Sequence, residues 1–409
     1  MRILYLHQYF KTPGMAGGTR SYEMARRLTA RGHEVHVITA RDAPGPDTWV
    51  RTREADFDVH WCTVPYSNRM SYPRRIRAFL RFSYLAARKA ASIPADVVFA
   101  TSTPLTIALP AAYAARRQRV PMVFEVRDLW PELPIAVRAL KSRAAIAAAR
   151  WLERFAYRRA RHVVALSPGM KEGIVAAGCP AEKVTVIPNG CDLGLFRVDE
   201  QAGRTFRERN EWLGDRPLVV YTGTLGIING VDYLVKLAAS VRRRDVGVRF
   251  LVVGSGHEEE RVRRTAERLR VLDRNFFLWS PLPKREMPAV LSAADVAVSV
   301  FRDVPAMWNN SANKVFDALA AGRPVAINHE GWQAEIIRRT GCGLVLDAKD
   351  VESSAERLVS ALRDPAWLAR ARAAARRVAE ERFDRNRLFE QFEAVLLGAV
   401  RGEARRRAA

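Results

Sequence analysis

A chain of 409 residues is too long for one ordinary hydrophobic core and suits two domains of similar size. With 48% hydrophobic and 9% aromatic residues, and no run near the roughly eighteen apolar residues of a membrane span, it reads as a globular enzyme. The formal charge of +23 predicts attraction to polyanions such as nucleic acid, anionic lipid or phosphate-bearing substrates, although solvated arginines alone account for the number equally well.

Taken in chain order, the first half alternates short apolar runs with helical patterns. Ile3–His7 reads as a strand, Thr19–Ala30 as a helix and Glu34–Ala40 as a strand. Pro73–Lys89 reads as a helix with Arg74, Arg77, Arg81 and Arg88 along one stripe. Ile76, Phe79, Leu80 and Phe82 lie broadly opposite, so the apolar side is expected to face inward onto the sheet and the arginine side to meet water or anionic lipid headgroups. Val97–Thr101, Val120–Val126 and His162–Leu166 are further buried strands, and Val184–Pro188 closes the first domain. The polar stretch Asp199–Asp215 reads as a passage into a second half built the same way. There Leu218–Thr222, Arg249–Val253, Asn275–Trp279, Val296–Val300, Pro324–Asn328 and Gly343–Leu346 are strands between helices. From about Val351 the chain is helical, ending in Arg385–Val400 and a basic tail, Glu403–Ala409, expected to fray.

Alternation of this kind predicts an α/β fold, with parallel strands covered by helices on both faces. Two Rossmann-like halves should bind ligands outside the carboxyl ends of their strands, where loops enter helix N-termini. Cys62, Cys179, Cys191 and Cys342 are scattered, so neither a zinc site nor a disulfide framework is expected. The apolar run Ile3–Leu6 is too short for a secretory signal, and a reduced cytosolic protein is expected.

Six loops meet the positional rule. Gly17-Gly18 before Thr19 permits close backbone approach at a helix start, with Thr19 a candidate cap, but the dinucleotide G-x-G-x-x-G is missing and a plain turn fits as well. Glu125-Val126-Arg127-Asp128-Leu129-Trp130-Pro131-Glu132 leaves a buried strand. A surface Arg127–Asp128 pair and a catalytic acid both suit it, and the concentration of polar groups favours the second. Asn189-Gly190-Cys191-Asp192 is expected to be a structural turn. Tyr221-Thr222-Gly223-Thr224-Leu225-Gly226 and Val253-Gly254-Ser255-Gly256 leave neighbouring strands with two glycines each, so the backbone can approach a ligand.

The sixth loop, Trp308–Lys314, is the most informative. It leads into the helix Val315–Ala321, whose free N–H groups suit a phosphate. Lys314 in the first turn opposes the helix dipole, which makes sense if an anion joins it, and Asp317 is spaced to accept hydrogen bonds from ribose hydroxyls.

The order of motifs resembles the family 4 retaining glycosyltransferases of the GT-B fold. The matching stretches are Gly17-Gly18, Arg31–Val35, Ile187–Gly190 and Asp317–Val325. Within that family, Leu4–Phe10 and Arg127–Glu132 look like a branch that builds bacterial surface polysaccharides, often with L-fucosamine-type amino sugars carried on UDP. The resemblance implies two Rossmann-like domains facing across a cleft. Residues 1–198 would bind the acceptor and 199–383 the nucleotide sugar, with 384–409 returning to the first domain.

It also implies transfer from a UDP-sugar, with no further cofactor, to a hydroxyl of a lipid-diphosphate-linked glycan. That places the work at the inner face of the cytoplasmic membrane, against anionic lipid and without nucleic acid. Gly18, Thr224, Gly254, Ser255, Leu282, Asn310, Ser311, Asn313, Lys314 and Asp317 would hold the donor, and Arg127 and Asp128 would stand where the family has a cleft histidine. The family's paired glutamates fall at Asn309 and Asp317, and its diphosphate-binding Arg/Lys pair falls near Thr224 and Asn229, where neither residue is basic. Lys314 and the helix N-terminus would therefore supply that charge. No metal is expected. A nucleotide-sugar 2-epimerase shares the architecture but lacks a convincing carboxylate–histidine pair here, and a nucleic-acid-binding protein would need a motif that is missing.

Overall fold

Runs of Val, Ile, Leu and Phe, buried on both faces, form parallel strands at nearly all the predicted positions. The protein's structure, a computed structural model, describes residues 1–15, 17–41, 49–66, 70–136, 140–197 and 199–408. These divide into two α/β units. One comprises Met1–Thr12, Thr19–Pro188 and Asn386–Ala409; the other comprises Pro13–Gly18 and Asn189–Arg385. Residue 198, where the sequence puts the boundary, lies outside the described residues.

In chain order the first unit runs β1 (Arg2–Leu6), α1 (Arg20–Ala30), β2 (Glu34–Arg41), β3 (Trp49–Glu54), β4 (Phe57–Thr63), α2 (Tyr72–Ser92), β5 (Val97–Thr101) and α3 (Ala108–Gln118). It continues with β6 (Met122–Val126), α4 (Glu132–Ala136), α5 (Arg143–Arg159), β7 (His162–Ala165), α6 (Pro168–Ala176) and β8 (Val184–Val186). Its sheet has the order β3-β4-β2-β1-β5-β6-β7-β8, parallel except where β3 runs antiparallel to β4. Side chains along β1 alternate. Leu4 and Leu6 pack with Phe82, Ala111, Ala156 and Ile174 of α2, α3, α5 and α6, whereas Ile3 and Tyr5 pack with Leu28 of α1 and Phe392 of the last helix.

The second unit contains α7 (Glu200–Glu208), β9 (Leu218–Thr222), α8 (Asp232–Arg244), β10 (Arg249–Val253), α9 (Glu259–Arg268), β11 (Phe276–Trp279), α10 (Met287–Ala293) and β12 (Val296–Ser299). It ends with α11 (Asn313–Ala320), β13 (Val325–Ile327), α12 (Trp332–Thr340), β14 (Gly343–Val345), α13 (Val351–Leu362) and α14 (Pro365–Val378). Its six parallel strands have the order β11-β10-β9-β12-β13-β14. The final helix, α15 (Arg385–Ala408), belongs from Asn386 onward to the first unit, where Phe392 meets Phe99 edge-on at 4.8 Å.

The structure departs from the sequence reading in several places. β3 and β4 were not foreseen; β3, at a sheet edge, is mostly polar and nowhere fully buried, and β4 buries Asp58 and His60. The stretch Asp199–Asp215 contains α7, capped by Asp199, whose carboxylate accepts from Ala202 N–H at 2.9 Å. Thr19 stands at the N-cap of α1 without capping through its side chain. Glu403–Ala408 continues α15 rather than fraying, and residue 409 lies outside the described residues. On α2 the buried stripe is Ala78, Phe82, Ala86 and Ala90. Ile76 and Leu80, expected to face inward, lie half a turn away from it and are 53% and 52% exposed.

Candidate active site

In the second unit, three strand ends and one helix start bring the predicted donor residues into two groups. The turns after β9 and β10 lock together first. Gly223 N–H donates to Val253 O at 2.9 Å and Leu225 N–H donates to Ser255 O at 2.9 Å. A Cβ on Gly254 would stand 1.8 Å from Gly223 O, so only glycine lets the two turns meet. The sequence reading gave Gly254 to the ligand; in the structure its missing side chain makes room for the neighbouring turn. Thr224 and Ser255 are exposed beside this junction.

Lys314, the second residue of α11, reaches the same junction. Its Nζ donates to the Tyr221 hydroxyl at 2.9 Å and lies 4.1 Å from the centre of that ring, and Tyr221 in turn donates to Thr224 O at 2.8 Å. A Cβ on Gly223 would come within 3.2 Å of Lys314 Cε. No carboxylate pairs with Lys314 among the described residues. Burial without a counter-charge lowers its pKa to about 7. Such a cation at a helix N-terminus is charge-deficient twice over, since the free N–H groups there are also partly positive.

One turn along α11, Asp317 belongs to the second group. Lys284, in the short turn Lys284–Glu286 after the loop carrying Leu282, donates to both Asp317 oxygens at 3.4 Å. The same ammonium lies 5.3 Å from the centre of the Phe196 ring. Burial raises the Asp317 pKa, against the lowering influence of Lys284 and Arg385. Leu282 is half-buried and packs on the core. Sequence reasoning found Lys314 at the helix start but missed Lys284, which lies 33 positions before the aspartate it meets.

The residues leading into α11 serve the loop itself. Ser311 Oγ accepts from Asn189 N–H at 3.2 Å, and Ser311 O accepts from the Asn189 amide at 2.6 Å. Asn310 O accepts from Trp332 Nε1 at 3.0 Å. Asn313 opens the helix half-buried. Arg385 fixes the turn Gly190–Asp192 through Gly190 O at 2.6 Å and Asp192 Oδ1 at 2.9 Å. Gly18 is half-buried in the loop ahead of α1 and groups with the second unit.

In the first unit, Arg127 and Asp128 follow β6. Arg127 N–H donates to Ser102 Oγ at 3.0 Å, and its Nη1 donates to His7 Nε2 at 3.3 Å. His7, at the end of β1, is buried with Nδ1 unpartnered. Desolvation, reinforced by Arg127 and Lys11, holds its pKa well below the ordinary histidine range, so it is neutral. Asp128 is half-buried, makes no hydrogen bond or ion pair with a described residue, and is pushed by burial up to about 6. His7 is the second residue that sequence reasoning left without a role, because its contact with Arg127 spans 120 positions.

Glu125, which helped mark this segment as functional, has a structural task. It is fully buried, accepts from Arg20 Nε and Nη2 at 3.0 and 2.8 Å and from Thr101 Oγ1 at 2.8 Å, while Arg20 also donates to Ile187 O and Pro188 O. Among the described residues no group of three His, Cys, Asp or Glu side chains is placed to hold a metal ion.

Comparison with known proteins agrees with this architecture. Residues 16–190 match a glycosyl transferase 4-like domain, and residues 203–378 match the glycosyl transferases group 1. A GDP-mannose-dependent α-(1-6)-phosphatidylinositol monomannoside mannosyltransferase of Mycobacterium tuberculosis is 30% identical over 273 residues, a match covering 66% of each chain. The putative colanic acid biosynthesis glycosyl transferase WcaI of Escherichia coli K12 is 23% identical, with 93% of this chain and 96% of WcaI covered. Among solved structures, Anabaena HepE in complex with UDP and glucose superposes with a TM-score of 0.73 at 19% identity, covering 97% of this chain and all of HepE. With both halves matched to glycosyltransferase domains and the fold shared, the chain belongs to the family 4-like glycosyltransferases of the GT-B fold.

Proposed function

We propose that the protein moves an N-acetylated amino sugar or deoxy sugar from UDP, with retention of configuration, to a hydroxyl of a lipid-diphosphate-linked glycan during surface-polysaccharide synthesis. The observation carrying this reading is Lys314: a half-buried cation with no carboxylate partner among the described residues, at a helix start, one turn from an aspartate. That arrangement suits a diphosphate on the lysine and free N–H groups, with ribose hydroxyls on Asp317. The bond from the anomeric carbon to the phosphate oxygen breaks as the acceptor oxygen bonds on the same face, and the acceptor proton passes to the departing phosphate. Lys314 offsets the charge growing on that phosphate, and fixed dipoles do so without reorganising. Asp128 orients the acceptor or the sugar.

A membrane-linked acceptor is supported by two relatives: one named for a phosphatidylinositol mannoside, the other for colanic acid biosynthesis. The amino-sugar donor follows from the resemblance of Leu4–Phe10 and Arg127–Glu132 to the polysaccharide branch. Work at the inner face of the cytoplasmic membrane follows from such an acceptor.

Screening UDP-, GDP- and TDP-sugars for protection against thermal unfolding tests the donor, because a ligand at a hundred times its Kd stabilises by about 2.7 kcal/mol. UDP-sugars should protect best. Protection by GDP-sugars alone would overturn the UDP assignment, and turnover of donor to an isomeric sugar nucleotide without acceptor would favour an epimerase.

A further inference from the structure

The charge of the first unit is distributed unevenly between its two helical layers. On one face of the sheet, α1 and α15 carry carboxylates that partner their basic groups: Glu23 with Arg26 and Arg27, and Glu393 with His33. On the opposite face α2 packs beside α3 and α3 beside α5, and all three share one core. Together these three helices hold thirteen arginines and lysines and a single carboxylate, Glu153. Glu153 is buried, accepts from the Tyr157 hydroxyl at 3.2 Å, and is pushed by burial up to about 7, so it offsets little of that charge. Arg150 of α5 finds Glu132 of α4 at 3.4 Å.

The same layer presents large apolar side chains on the side turned away from the sheet. Ile76, Leu80 and Tyr84 follow at helical spacing along α2 and are more than half exposed, Tyr113 of α3 is 52% exposed, and Trp151 of α5 is 57% exposed. Trp151 stacks on Phe155 at 5.4 Å, and Arg88 and Arg159 lie over Tyr84 and Phe155. Aromatic rings with a polar edge, aliphatic tips and arginines whose stems lie along them are the side chains that settle at a bilayer's headgroup level. A nucleic acid would draw on the arginines but offers nothing to Ile76 and Leu80.

We propose that the outer face of α2, α3 and α5 together is a docking surface for an anionic lipid bilayer, with Tyr84, Tyr113 and Trp151 seated among the headgroups. This widens the surface expected from α2 alone and deepens the membrane location proposed above, while resting only on charge and exposure within the first unit. α5 is the deciding element, since a surface confined to α2 would be indifferent to it.

The full chain should float with vesicles containing a third phosphatidylglycerol and stay behind with pure phosphatidylcholine. At about a tenth molar salt, Arg154→Glu/Arg158→Glu should weaken partitioning at least about thirtyfold, as the loss of two basic contacts implies. Trp151→Ala should weaken it several-fold, and Arg268→Glu/Arg274→Glu, the same charge change in the second unit, should leave it intact. Each variant is checked for wild-type protection by UDP, which separates loss of docking from loss of fold or of the donor site. Equal flotation of the α5 variant and the wild-type protein would overturn the three-helix surface. So would indifference to anionic lipid, or binding to duplex DNA without binding to vesicles. Vesicle binding without any donor protection would instead leave the surface standing and remove the donor reading.

Discussion

Lys284 Nζ stands 3.4 Å from both carboxylate oxygens of Asp317, in a pocket where the two side chains are only 13% and 18% exposed. Burial and Asp192 raise the pKa of this carboxyl, and Lys284 and Arg385 lower it. Lys284 is a positioning residue that keeps Asp317 ionised and both its oxygens aimed. Lys284→Met should weaken donor binding about tenfold or more, the scale of a charge-assisted hydrogen bond, with kcat changed less than KM. Because the Asp317 pKa then rises further, the defect should be deepest at low pH and shrink as pH rises; Lys284→Arg should restore binding. A defect independent of pH would remove the positioning role.

Lys314 sets the opposite limb. Its pKa of about 7 in the donor-free protein means that at pH 8 most of it is neutral. An anion favours the charged form, so donor binding takes up a proton. Affinity for UDP should therefore fall by about tenfold per pH unit above 7 until the raised pKa of the complex is reached. Lys314→Ala should lower affinity and abolish that slope. Calorimetry in buffers of different ionisation enthalpy counts the proton directly, and zero uptake at pH 8 would sink the assignment.

Asp128 should act as its carboxylate, which forms as pH rises through about 6. Turnover at saturating donor should accordingly climb through pH 6, and Asp128→Asn should remove that limb and slow turnover about a hundredfold, the scale expected when a bound substrate is misplaced at the reacting centre. UDP affinity should be nearly unchanged. Equal, small effects on both would count against a role at the reacting atoms.

Arg20 and Glu125 form a fully buried pair, and breaking one partner should cost about 3–5 kcal/mol. Arg20→Met should show this in urea unfolding, whereas Arg20→Met/Glu125→Leu should recover much of the loss. Were the single variant as stable as the wild-type protein, the pair would not be the fastening it resembles.

The parallel strands were legible because each is a short apolar run between turn residues, and Lys314 stood out because a cation in a first helical turn defies the dipole. What escaped was set by distance along the chain. Lys284 meets Asp317 across 33 positions and His7 meets Arg127 across 120. Neither pairing leaves a local pattern. Arg20–Glu125 was hidden for the same reason: the glutamate's buried arginine lies 105 positions away. On α2 the period was right but the phase was wrong, since Ala78, Ala86 and Ala90 make the inward stripe and small residues carry little weight in a wheel.

The return of Leu388, Phe389, Phe392 and Leu396 to the sheet containing Ile3 and Tyr5 has a consequence for biosynthesis. Translation proceeds from the other end, so the first half emerges with one face of its sheet covered only in part, by α1, and stays so while nearly two hundred further residues are made. Only when the segment from Asn386 onward leaves the ribosome is the rest of that greasy surface covered. A nascent chain stalled before residue 386 should depend on chaperones that the finished protein no longer needs.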